Sequence, residues 1–158
     1  MKSNLNLLIN KMKEKNYDAF LVPRGDVFSG EEVPKNEERL KYISNFSGSA
    51  GYAVISSVPK LKSAIFSDGR YKIQLKKEIN SKEFNIYEGG IKEAFYFLKI
   101  NHKILNIIAI DPWLITCTQY QYLTKTLSDV NSQVDFIHEN LIDQIWTNKP
   151  NQPEEKIF

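Results

Sequence analysis

Asp68-Gly69-Arg70-Tyr71 is the stretch where residue type departs most from what local structure asks for. Asp68 is placed to cap a helix N-terminus, because a short carboxylate accepts from the free N–H groups of a first turn. Arg70 then falls in that first turn, where a cation opposes the helix dipole at a typical cost of about 0.3–1 kcal/mol. A residue set against a local rule is a hint of function. The structural alternative is that Arg70 pairs with Asp68 or another nearby acid.

The other chemistry-bearing residues read as structural. A metal site needs clustered His, Cys or carboxylate ligands, and the two histidines, His102 and His138, lie in separate polar segments at strand edges. Both are expected at the surface. Cys117 has no histidine near it in sequence and is expected to be a buried thiol rather than a nucleophile. Glu31-Glu32 and Glu37-Glu38 are neighbours in sequence, not in space, so they are expected to be solvated, with Glu37 or Glu38 at a helix N-terminus. Gly48-Ser49-Ala50-Gly51 is not a dinucleotide fingerprint, because it leads into a strand rather than opening a helix. It reads as a tight turn whose small residues permit close packing.

The elements that must position these residues follow from hydrophobic spacing. Leu5, Leu8, Ile9 and Met12 predict a helix over 3–16, capped by Ser3. Strands are expected at 19–22, 52–55, 63–66, 84–87, 104–110 and 134–137, with 52–55 and 63–66 forming a hairpin. Helices are expected at 37–44, 69–79, 91–100, 116–127 and 141–146. The run 104–110 is the most apolar and is expected at the centre of the sheet. This alternation predicts an α/β fold with a mixed sheet of about six strands and helices on both faces. Residues 1–146 are expected to form one domain. Residues 147–158, with Pro150 and Pro153 in a polar stretch, read as a linker toward a second domain absent from this chain, with Lys156-Ile157-Phe158 turning apolar as that domain begins.

The chain has 158 residues, a net charge of +2, 42% apolar and 25% charged residues. Acids and bases are mixed, so no basic face argues for nucleic acid. No apolar run is long enough to cross a membrane, and the first ten residues lack the form of a signal peptide. One cysteine excludes an internal disulfide and sets a reducing, cytoplasmic compartment as the expectation.

Several segments, in order, resemble the N-terminal domain of the creatinase and aminopeptidase P family. They are Asp18-Ala19-Phe20-Leu21-Val22-Pro23, Gly30-Glu31-Glu32-Val33-Pro34, Glu38-Arg39-Leu40, Tyr42 through Gly51, Ser67-Asp68-Gly69-Arg70-Tyr71 with Gln74, Ile110-Asp111-Pro112, and Asn140 through Trp146. The series covers nearly the whole chain and is most similar to the bacterial three-domain type. Asn45 stands where the family often has Gly, Glu32 where it has an aromatic residue, and 26–30 lacks a histidine that many members carry.

The resemblance implies the creatinase/prolidase N-terminal fold, with its ribonuclease H-like motif. It implies a non-catalytic domain of an Xaa-Pro aminopeptidase that overhangs the active-site cleft. The substrate would be a peptide with proline at the second position, with Arg70 a substrate-binding residue and no catalytic or metal-binding residue in this chain. Hydrolysis would fall to two divalent metals, usually manganese, in a C-terminal domain of the same polypeptide, and the parent enzyme could be a homodimer. The 26–34 loop and the 42–51 turn would line the mouth. Two other readings stay open: a stand-alone binding module of the same fold, and a creatine- or dipeptide-hydrolysing relative.

Overall fold

A computed structural model describes residues 2–154. Helix α1, Asn4–Glu14, begins where the Ser3 hydroxyl accepts from the Asn6 N–H and buries Leu5, Leu8 and Met12. Strand β1, Ala19–Pro23, is buried along its whole length. A 3-10 turn, Lys35–Glu37, precedes helix α2, Arg39–Ser44. Strands β2, Tyr52–Ser56, and β3, Ser63–Ser67, form the expected hairpin, with Val54 opposite Ala64. Helix α3, Lys72–Glu78, follows, then strand β4, Phe84–Glu88, and helix α4, Ile91–Ile100. Strand β5, Ile107–Ile110, helix α5, Cys117–Thr126, strand β6, Gln133–Phe136, and helix α6, Leu141–Ile145, complete the order.

The sheet runs β4-β3-β2-β1-β5-β6. Strand β2 is antiparallel to both of its neighbours, and the other pairings are parallel. β1, β3, β4, β5 and β6 therefore point the same way and present their carboxyl ends at one end of the sheet. Alternation along β1 shows the two layers. Phe20 and Val22 pack under α1, α2, α3 and α6, while Ala19 and Leu21 pack under α4 and α5. The inner strands β1, β2, β3 and β5, covered on both faces, are largely apolar, whereas the edge strands β4 and β6 carry polar residues and are partly exposed.

Three expectations change. The apolar run 104–110 is not central: the middle pair is β2 and β1, and the strand begins only at Ile107. The Asp18 carboxylate accepts from the N–H groups of Asn106 and Ile107 at 2.9 and 3.0 Å and fixes that start. The segment 69–79 is a 3-10 turn, Gly69–Tyr71, followed by α3, with Ile79 already extended. The segment 37–44 breaks at Glu38, between a 3-10 turn and α2. Residues 146–154 carry no helix or strand, and Lys156-Ile157-Phe158 lies outside the described residues.

Candidate functional site

The carboxyl ends of β1 and β3 hold two arginines, Arg24 and Arg70, and between them lies the turn that leads into β2. In α/β sheets this end is where ligands bind. The chain has three arginines, and each guanidinium has a different fate. Arg39 is buried on α2 and donates to both carboxylate oxygens of Asp143, at 2.8 and 3.0 Å, and to Glu37. Arg24 Nη1 donates to the Ser49 and Glu31 carbonyls at 3.0 and 3.3 Å, tying the 26–34 loop to the turn at 46–51. Arg70 is exposed. Its Nε donates to Asp68 Oδ1 and its Nη2 to Asp68 Oδ2, both at 2.9 Å. A guanidinium carries five N–H donors, so about three of them face solvent.

Asp68 also caps the 3-10 turn, accepting from the Arg70 N–H at 3.0 Å. The cap and the ion pair proposed from sequence thus form together. The Arg70 guanidinium bonded to it holds the Asp68 carboxyl below the usual carboxylate range, and Asp68 in turn raises the guanidinium. The guanidinium also lies 5.4 Å from the centre of the Tyr71 ring.

A knit of side chains joins this segment to the turn before β2. Tyr71 is hydrogen-bonded to Ser49 and meets the Phe46 ring edge-on at 5.8 Å. Ser47 donates its N–H and its hydroxyl to Glu78 at 2.8 and 2.6 Å, and Gln74 donates to the Ser47 hydroxyl at 2.8 Å. Burial would raise the Glu78 carboxyl, yet these donors hold it below its ordinary value. The small residues of the turn are there for packing. A Cβ on Gly48 would sit 2.2 Å from Phe46 Cζ, and one on Gly51 3.2 Å from the Phe66 carbonyl oxygen. On the other side of Asp68 a groove of about 290 Å³ runs between α3 and β4, lined by Lys72, Lys76, Leu75, Ile86, Tyr87 and Glu88.

Sequence reasoning singled out the two segments. It did not identify Arg24 as the fastener of the 26–34 loop to the 46–51 turn, because its acceptors are backbone carbonyls. It also missed the Arg39 pair, and Glu37 is half-buried against Arg39 rather than solvated. Cys117 is exposed, contrary to expectation, at the first residue of α5, a helix whose buried residue is Leu123. His138 is exposed and His102 half-buried, neither near the Arg70 end of β3 in the chain. Asp26, in the Arg24-Gly25-Asp26 tripeptide, is buried and accepts from the N–H groups of Phe28 and Gly30. Among the described residues no group of three or more His, Cys, Asp or Glu is placed to hold a metal ion, and no helix is long and apolar enough to cross a membrane.

The family model described as the creatinase/prolidase N-terminal domain matches residues 5–145. The protein named "Probable Xaa-Pro aminopeptidase P" of Talaromyces stipitatus is 33% identical over 150 residues, covering 92% of this chain and 22% of its own. The protein of the same name from Laccaria bicolor is 32% identical over 151 residues, covering 93% and 23%. The chain thus spans about a quarter of the length of the curated relatives it matches. Among solved structures, the X-prolyl aminopeptidase of Caenorhabditis elegans, described as a cytosolic enzyme with a di-nuclear active site, aligns with a TM-score of 0.79 at 24% identity, over 94% of this chain and 26% of that one. The N-terminal domain of the cytoplasmic peptidase PepQ from Mycobacterium tuberculosis H37Rv aligns at 0.69 and 17% identity, over 90% of this chain and 97% of that one. At these identities the structural likeness is one of fold.

Proposed function

The chain belongs to the creatinase/prolidase N-terminal domain family, and from that membership we propose that it is the non-catalytic N-terminal domain of a proline-specific metallo-aminopeptidase. In this reading residues 1–146 cover the active-site cleft and help to hold a peptide whose second residue is proline. Residues 147–158 lead to further domains of a cytoplasmic polypeptide. Hydrolysis falls to a dinuclear metal site, with manganese the expected metal, in a separate C-terminal domain. Among the described residues no cluster of ligands fits such a site.

One observation carries the reading. Arg70 is exposed with its outer donors open, and it stands at the carboxyl end of the sheet on a segment braced by Tyr71, Ser49, Ser47 and Glu78. A guanidinium held on a rigid support makes a directional contact with a peptide at little entropic cost.

The test compares two proteins. The 158-residue chain alone, supplied with manganese, is expected to release no N-terminal residue from an Xaa-Pro peptide, and measurable release contradicts the proposal. In the full polypeptide, Arg70→Ala is expected to raise KM by roughly tenfold, as loss of one charge-assisted contact does, with the melting temperature unchanged. An unaltered KM removes Arg70 from the peptide site.

A further inference from the structure

We infer that Asp68 is a specificity-determining residue: by cancelling the charge of Arg70 it makes that guanidinium a reader of neutral backbone carbonyls. The site then favours peptides that run on past the proline over short ones that place a terminal carboxylate there. The inference rests on the preceding reading of Arg70.

The geometry is a closed edge and an open end. The edge formed by Nε and Nη2 is filled by the two oxygens of Asp68, each at 2.9 Å. The N–H groups left over, both on Nη1 and the outer one on Nη2, still point outward. Asp68 is not free to leave. Its Oδ1 also accepts from the Arg70 backbone N–H at 3.0 Å, so swinging the carboxylate away opens the 3-10 turn. The guanidinium bonded to it keeps the carboxyl ionised at neutral pH.

An incoming group therefore meets a fixed pair of zero net charge. A carbonyl oxygen gains the hydrogen bonds of the open end and suffers no repulsion. A carboxylate gains the same bonds but faces the Asp68 charge across the guanidinium, and like charges disfavour each other at this range. Lys72, Lys76 and Glu88 line the groove beside Asp68. Arg39 is paired with Asp143 and Glu37, and Arg24 directs Nη1 to the Ser49 and Glu31 carbonyls rather than to Asp68.

The decisive experiment uses the full polypeptide and two substrates, an Xaa-Pro-Yaa tripeptide with a free carboxylate and its C-terminal amide. The measured quantity is the ratio of their KM values. Asp68→Asn removes the charge and keeps the cap, since Asn caps as well as Asp. It is expected to shift the ratio toward the free acid by roughly fivefold to tenfold with kcat little changed, because the guanidinium charge is then uncompensated. Asp68→Ser, also a capping residue, gives the same shift if the asparagine variant folds poorly. A ratio unchanged in both variants overturns the inference. If Arg70→Ala raises KM for both substrates in the same series, the reading of Arg70 stands without the role of Asp68. If Arg70→Ala changes neither, the reading of Arg70 itself fails.

Discussion

Replacing Arg39 by methionine tests whether the buried ion pair between α2 and α6 holds the site's support in place. The Arg39 side chain is 6% exposed, against 11% for Glu37 and 23% for Asp143. Its guanidinium meets the Asp143 carboxylate with two hydrogen bonds, at 2.8 and 3.0 Å. Methionine fills much of the same volume but leaves both acids without their cation. Breaking a buried pair from one side costs about 3–5 kcal/mol. Here Asp143 keeps Lys149 at 3.1 Å and some access to water, which places the loss near the lower bound. A loss of about 3 kcal/mol in a chain of this size lowers the melting temperature by about 6–12 °C. Urea and thermal unfolding followed by circular dichroism measure it, and a cycle with Asp143→Leu isolates the coupling. Recovery of stability in the double variant relative to Arg39→Met is expected, because both unpaired charges are not then left behind. A loss under about 1 kcal/mol, the range of a surface pair, refutes the reasoning.

Two further outcomes follow from the same geometry. Burial would push the Asp143 carboxyl up, but the hydrogen bonds and charge of Arg39, with help from Lys149, hold it below its ordinary value. Its stabilisation is therefore fully present above the unfolded pKa of about 3.9 and is lost as pH falls through the lower folded value. The stability difference between wild type and Asp143→Asn should shrink below about pH 4, and a difference flat with pH contradicts this. Gly48→Ala puts a methyl 2.2 Å from Cζ of the buried Phe46 ring and should cost about 1–3 kcal/mol by overpacking. Gly25→Ala, with nothing within 4 Å, is the control expected to unfold like wild type.

Much of the fold was legible because its signals are local. Ser3 and Asp68 cap the turns their positions suggest, and the hairpin of β2 and β3 follows from two apolar runs with Pro59 between them. What escaped depends on distance in the chain. Arg39 follows two acids in sequence, but the partner it takes, Asp143, lies 104 residues away. The run 104–110 reports burial, not order. Apolar character is shared by every strand covered on both faces, so it does not single out the middle one. The joining of the turn at 46–51 to the segment at 68–78 was not legible as a contact, because it pairs hydroxyls, a side-chain amide and a backbone N–H with one another and with the Glu78 carboxylate, 31 residues from Ser47. The two segments appeared only as separate motifs.

That joining has its origin in the reversed direction of β2. Because β2 runs against its neighbours, the chain enters it at the end where β1 and β3 leave. Arg24, Arg70 and the turn at 46–51 are thus gathered at one pole of the molecule. The opposite pole, where β2 turns into β3 at 57–62, is separated from it by a five-residue strand, about 17 Å. Lys60 is exposed at that tip, and exposed loop tips accept inserted chain with little loss of stability. A dye, an affinity tag or a tethering point installed at Lys60 would therefore report on or immobilise the domain while leaving the Arg70 end open to whatever approaches it.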